Sequence, residues 1–211
     1  MTRPHTRLLT VELQQLHPTQ LTVGMREVQD KRDEWRRLKR KARIDLLASH
    51  WFPGVVGPAK RPYIVDHHHL GLALLEEGVK HVFVLVLKDL SWVTLPHFWR
   101  AMDVHQWVHP YGADGQRHPY DAVPGQLTAL QDDPYRSLAG ELRQAGGYAK
   151  DATPFSEFLW ADFLRARIDL QQLRSDFDKA LKRALKLAHG QDARYLPGWA
   201  GTIEPASGPL A

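Results

Sequence analysis

Four consecutive side chains that can bind or move a proton, Asp66, His67, His68 and His69, stand where two patterns meet. Before them, Tyr63-Ile64-Val65 is a β-branched and aromatic run, the pattern of a short buried strand. After them, Leu70, Ala73 and Leu74 fall on one face of a helix. Asp66 is a residue type suited to the helix N-cap. A strand that turns straight into a helix leaves the first backbone N–H groups of that helix unpaired. They carry partial positive charge and suit a phosphate. Histidines in the first turn add donors there, or take up a proton near neutral pH. Asp66, His68 and His69 are therefore candidate catalytic groups, and His67 a phosphate contact. Adjacent residues on a helix point about 100° apart, so the three histidines do not readily share one ion. His105 and His109 are four apart, but Pro110 follows them at once. A Mg²⁺ held by Asp66 and by nucleotide phosphates fits better, since Mg²⁺ prefers oxygen ligands and keeps waters.

Several chemistries are excluded by what the chain lacks. It has 211 residues, a formal charge of +4 and no cysteine. Thiolate nucleophiles, disulfides and zinc–cysteine sites are thus absent. There is no Gly-Lys-Ser/Thr phosphate loop, no dinucleotide glycine motif after a strand and no Gly-x-Ser-x-Gly elbow. No apolar run approaches the ~18–20 residues of a membrane span, and residues 1–7 lack the apolar run of a signal peptide. A cytoplasmic protein without a membrane partner is expected. Its basic balance permits an anionic partner, nucleotide or nucleic acid. Its oligomeric state is not legible.

The elements that would position these residues follow from periodicity. Residues 8–13 read as a first strand, and residues 16–24 as a loop in which Thr19, Gln20 and Thr22 offer polar groups near a turn. Residues 25–48 read as one long helix with a stripe of Met25, Val28, Trp35, Leu38, Ala42 and Leu46. Between Arg26 and Arg43 nine bases stand against four acids. Arg36, Arg37, Arg40 and Lys41 are either nucleic-acid backbone contacts or a solvated face, its bases placed last to complement the helix dipole. Glu27 and Lys31 are four apart. They form either a plain ion pair or a base and a phosphate contact that both face the pocket. Val55 to Pro58 reads as a strand and turn, 59–62 as a basic hairpin connection, and Val82 to Leu87 as the clearest buried strand. Gly78 closes the helix after His69. Residues 91–150 are rich in Trp, His, Pro and Tyr, with helical pattern resuming over 138–145, 154–168 and 170–189. The expected class is α+β: a small mixed β-sheet with packed helices plus a mainly helical C-terminal extension. The expected divisions are a core over 8–90, an extension over 91–190 and a surface tail over 191–211.

The run Asp66-His67-His68-His69-Leu70 resembles the Asp-Gly-His-His-Arg box of the ParB/sulfiredoxin-like superfamily. Leu16 to Gly24, Val56-Gly57-Pro58, Asp132 to Gly140 and Gly146-Gly147-Tyr148 extend the resemblance over roughly residues 10–165, closest to the family labelled putative ParB-like nucleases. His68 and His69 match the two histidines of the box, while His67 replaces its glycine and Leu70 its arginine. The resemblance implies an α+β core and places Thr19 and Gln20 near a nucleotide or phosphate pocket. Asp132-Asp133, with Arg136 and Arg143, is a candidate second half of that pocket; Asp133-Pro134 and Arg136-Ser137 equally fit a helix-capping turn with a buried ion pair. Superfamily members include DNA clamps, nucleases, small-molecule kinases and a sulfinic acid reductase. The last needs a cysteine and is excluded. Two classes of function remain. One is a phosphate-chemistry enzyme with Glu27 as base, using Mg²⁺ and a nucleotide such as ATP or CTP. The other is a non-catalytic nucleotide- or nucleic-acid-binding protein.

Overall fold

The computed structural model describes residues 7–202. Residues 1–6 and the last part of the expected tail lie outside it. A four-stranded sheet is built from β1 (Arg7–Glu12), β3 (Phe52–Val56), β4 (Pro62–Ile64) and β5 (His81–Asp89), in the order β1-β5-β3-β4. β5 pairs antiparallel with β1 and parallel with β3, and β3 pairs antiparallel with β4, so the sheet is mixed. Two short strands, β2 (Thr22–Val23) and β6 (Gln131–Asp132), form a separate parallel pair. With helices around both sheets, this is the expected α+β class.

The sheet buries both faces because its strands alternate. Phe52, Ile64, Val82 and Val84 point into a core shared with α1 (Met25–Arg37) and α3 (His68–Glu76), which supply Val28, Trp35, Leu72 and Leu74. Val55 and Tyr63 point the other way, onto Phe98, Trp99 and Met102 of α4 (Leu95–Val104). Each such side chain withdrawn from water contributes about 1.5–3 kcal/mol. Gly54 lies where β3 and β4 approach closely: a Cβ there would stand 2.8 Å from the Tyr63 carbonyl oxygen. α3 ends at a left-handed glycine, Gly78 at φ +74°, whose N–H donates to Leu75.

The expected helix over 25–48 is two helices, α1 and α2 (Arg40–Ser49). The chain leaves helical geometry at Leu38 and Lys39, with ψ of 133° and 160°. Arg43 compensates the break. Its guanidinium donates to the carbonyls of Trp35 at 3.1 Å and Arg36 at 3.2 Å in the last turn of α1, the first of which also accepts from Leu38 N–H. It also lies over the Trp35 ring, 5.1 Å from the centroid.

The chain divides into two compact units, Met1–Asp133 and Pro134–Ala211. Residues 91–133, expected with the extension, thus fall with the first unit. In the second unit, α5 (Pro134–Gln144), α6 (Ser156–Arg165), α7 (Leu170–Ser175) and α8 (Phe177–Ala188) pack around Leu138, Leu142, Trp160 and Phe163. The expected single helix over 170–189 is split at Asp176, whose carboxylate accepts from Lys179 N–H at 2.9 Å and caps a new helix. Ala180, Ala184 and Ala188 recur every four residues on α8 and are fully buried. The beginning of the expected surface tail is part of this core, with Ala193 and Leu196 buried and Trp199 packed beside them.

Candidate functional site

The stretch from Thr19 to Gly24 is polar, buried and almost without regular structure of its own. Other parts of the first unit hold it in place. Thr19 N–H donates to His68 Nε2 at 3.0 Å, and the Thr19 hydroxyl donates to the Ile64 carbonyl at 2.8 Å. His109 N–H donates to the Thr19 carbonyl at 2.8 Å. Gln20 turns its amide onto the Thr22 carbonyl at 2.7 Å. Gly24 N–H donates to His69 Nε2 at 3.0 Å, and Met25 N–H donates to the Asp132 carboxylate at 3.0 Å. The α1 N-terminus is therefore capped by an imidazole and a carboxylate from distant segments, an arrangement its dipole favours. Sequence reasoning overlooked Gly24 and assigned Asp132 no such role. Asp132 lies 107 residues from its partner, so no local pattern signals the cap.

His68 is 3% exposed. Burial chiefly, with the neighbouring His69 second, lowers its pKa to about 3. It is neutral, and its Nε2 accepts a backbone N–H. It therefore braces the 19–24 stretch, and this geometry gives it no proton to exchange near neutral pH. His69 is buried as well, but its Nε2 also stands 3.5 Å from Glu27 Oε2. Lys31 Nζ approaches the other Glu27 oxygen at 3.6 Å. The pair is an i,i+4 ion pair, the plainer reading of that spacing, and its carboxylate also faces a histidine of α3. A ring nitrogen carries either a lone pair or a proton, so with Gly24 N–H on its lone pair the His69 Nε2 has no proton to offer the Glu27 carboxylate beside it.

The N-cap of α3 is His67, in place of the expected Asp66, and it adopts φ +65° and ψ 24°. Asp66 instead accepts from His67 N–H at 2.6 Å and leaves its side chain 74% exposed. The left-handed conformation explains why a glycine at this point of the box would fit without strain. The His67 ring packs edge-on against Phe52, with centroids 5.7 Å apart. Valine at position 67 would be branched at Cβ in a conformation that disfavours any side chain. His67→Val is expected to lower stability by about 1–2 kcal/mol, measured by urea denaturation. An unchanged midpoint would show that this turn carries no strain.

The three histidines point in three directions: His67 to Phe52, His68 to Thr19, and His69 to Gly24 and Glu27. Among the described residues no group of three His, Cys, Asp or Glu side chains is arranged to hold a metal ion. An exposed Asp66 fits a Mg²⁺ carried in on phosphate oxygens, and does not fit a cage built by the protein alone. His105 and His109 diverge beyond α4, stacking on Trp107 and Tyr111 respectively. Burial lowers the His109 pKa to about 4.

The basic residues are also sorted by their partners. Arg36 is tied to Glu77 at 2.7 Å and to Asp33 at 3.3 Å. The helix break separates Arg36 and Arg37 from Arg40 and Lys41, so the four do not form one face of one helix. Arg136 belongs to the second unit. It is 5% exposed and shares Glu157 with Arg143, with the Phe158 ring below its guanidinium. The partner carboxylate lies in α6, 21 residues along the chain from Arg136.

One distribution sets this part of the chain apart. The buried polar and charged residues among those described are Thr19, Gln20, Thr22, His68, His69, Asp133, Arg136 and Ser137, and all fall in three short stretches. The Thr22 hydroxyl is enclosed, at 1% exposure, and has no hydrogen-bond partner among the described residues. Buried polar groups without partners are rare in folded proteins, and each calls for a cause such as a bound ion, a water or a part in the chemistry.

Comparison with known proteins adds two findings. A family model described as "Putative ParB-like nuclease" matches residues 9–166. The crystal structure of protein Atu1540 from Agrobacterium tumefaciens matches with 48% sequence identity and a TM-score of 0.89, over 95% of this chain and 100% of that one. No curated protein matches the chain. No helix among the described residues is long and apolar enough to cross a membrane.

Proposed function

Because this chain belongs to the putative ParB-like nuclease family, we propose that it binds the phosphate of a nucleotide or nucleic acid beside the 19–24 stretch and the start of α3. There it carries out Mg²⁺-dependent phosphate chemistry, as a nuclease, a nucleotide hydrolase or a small-molecule kinase. The observation that carries this reading is the buried polar seam of Thr19, Gln20, Thr22, His68 and His69, with an unsatisfied Thr22 hydroxyl inside it.

Each side chain has a task in this reading. His68 fixes the Thr19 backbone, so the polar stretch is organised before ligand arrives. Thr19, Gln20 and His67 line the approach of the phosphate. Glu27 accepts a proton from the attacking hydroxyl or water, while the His69 ring beside it keeps the carboxylate in place. Lys31, already beside Glu27, offsets the negative charge that gathers there. Asp66, exposed at the surface, would hold a Mg²⁺ brought by the phosphates. That ion would neutralise charge on the phosphoryl oxygens.

The alternative is a binding module with the same phosphate contacts and no turnover. Thermal shift with ATP, CTP and short single-stranded DNA, each with and without Mg²⁺, followed by product analysis, separates the two. Stabilisation with conversion to product supports the enzyme. Stabilisation without product supports the binding module. No stabilisation by any of these ligands removes both.

A further inference from the structure

We propose that the outer face of α8, in the second unit, is a docking surface for the phosphate backbone of a nucleic acid. Lys179, Lys182, Arg183 and Lys186 are spaced i, i+3, i+4 and i+7, so they line one side of this helix, and all four are exposed. At 1.5 Å per residue the row spans about 10 Å along the axis. Between Leu170 and Ala188 the bases number five, with Arg174, and the acids two, Asp176 and Asp178. Both acids lie at the start of α8, where Asp176 is occupied as the helix cap.

None of these five bases has a carboxylate within ion-pair distance among the described residues. Even Asp178, four residues before Lys182, makes no pair with it. Arg183 donates only to the amide oxygen of Gln172, at 3.1 Å. The contrast with α1 is direct, because Arg32 and Arg36 there are paired with Glu76 and Glu77. Charges already paired release few counterions on binding. Unpaired lysines release theirs and gain affinity.

The opposite face of α8 decides the class of partner. An amphipathic helix that settles on a bilayer must offer its apolar side to the lipid. Here Ala180, Ala184 and Ala188 are buried, and Phe177, Leu181, Leu185 and Leu187 pack against the same core. Only the charged side faces out. Flexible lysine point charges along one line suit a regular array of phosphates and read no base sequence.

The test uses the full chain and fluorescence anisotropy with a labelled DNA duplex and a labelled single strand, titrated at several salt concentrations. The wild type is expected to bind at low salt and to weaken steeply as salt rises. K182E/K186E is expected to bind about 10-fold or more weakly, with a salt slope smaller by about 2. Circular dichroism melts check that the variant folds, and K182Q/K186Q, which adds no negative charge, is expected to lie between it and the wild type. No binding by the wild type, or equal binding by all three proteins, overturns the proposal. So does a loss confined to sedimentation with phosphatidylserine vesicles. The proposal stands apart from the phosphate seam of the first unit. Nucleotide-induced thermal shifts should survive in K182E/K186E, so either idea can fail without the other.

Discussion

His69→Ala is expected to lower turnover by about 10²-fold or more, with a loss of stability from the unpaired Gly24 N–H, and Glu27→Gln is expected to lower turnover as much in a protein of nearly unchanged stability. The two side chains stand 3.5 Å apart: Glu27 is the carboxylate that would take the proton, and His69 holds it in position. Glutamine keeps the shape of Glu27 and removes its ability to bind that proton. Asp66→Asn should act differently, raising the Mg²⁺ concentration needed for half-maximal rate with little effect on the rate at saturation. Steady-state turnover of ATP, CTP and single-stranded DNA, measured against Mg²⁺ concentration, distinguishes the two patterns. If an active wild type is matched by His69→Ala and Glu27→Gln, the proton-transfer site lies elsewhere.

His68 should behave unlike its neighbour, and its effect should be seen in stability. Alanine there leaves the Thr19 N–H buried without an acceptor, at about 1–3 kcal/mol, and opens a cavity besides. The native imidazole also ties stability to pH. Its pKa is near 6.5 in the unfolded chain and about 3 in the folded one. Between those values unfolding takes up a proton, so stability falls as pH drops from 6.5 towards 3. The decline is about 1.4 kcal/mol per pH unit, and above pH 6.5 the full contribution is present. His109, lowered to about 4, adds a second decline of the same sign over a narrower range. Carboxylates with lowered pKa, such as Asp89 and Asp114, destabilise the fold in acid too, so the informative quantity is a difference. Urea denaturation of wild type and His68→Gln from pH 4 to pH 8 should give a shallower slope for the variant below about pH 6. Equal slopes would mean that His68 is not held neutral by the fold.

The sequence made some parts of this arrangement legible and hid others. The Val82–Leu87 run, the strand-to-helix junction at 63–70 and the glycine stop at Gly78 are local signals, and the protein has each of them. Breaks decided by distant groups were not visible. Nothing near Leu38 announces that Arg43 will fold back to satisfy the end of α1, so hydrophobic spacing continued the helix through it. The histidine run could be found by residue type, but not the division of labour within it. His68 and His69 differ by one position, yet one is sealed against Thr19 and the other faces Glu27. That difference comes from which segment packs over each ring. The strand-to-helix reading also placed the cap one residue early, because a histidine at positive φ is a conformation that propensity argues against.

The fastenings of the polar stretch have a bearing on how the molecule comes to exist. Thr19 is bound to residues 45 and 49 positions away, Gly24 to one 45 away and Met25 to one 107 away. None of these bonds closes a short loop. Ordering the stretch therefore carries the entropy cost of several long closures, while the helices of the second unit form largely from neighbours in the chain. The α3 helix and β4 must already be in place before Thr19 has anything to bond to, and β6 before the start of α1 can be capped. On this cost the polar seam is expected to order after the sheet and helices that hold it.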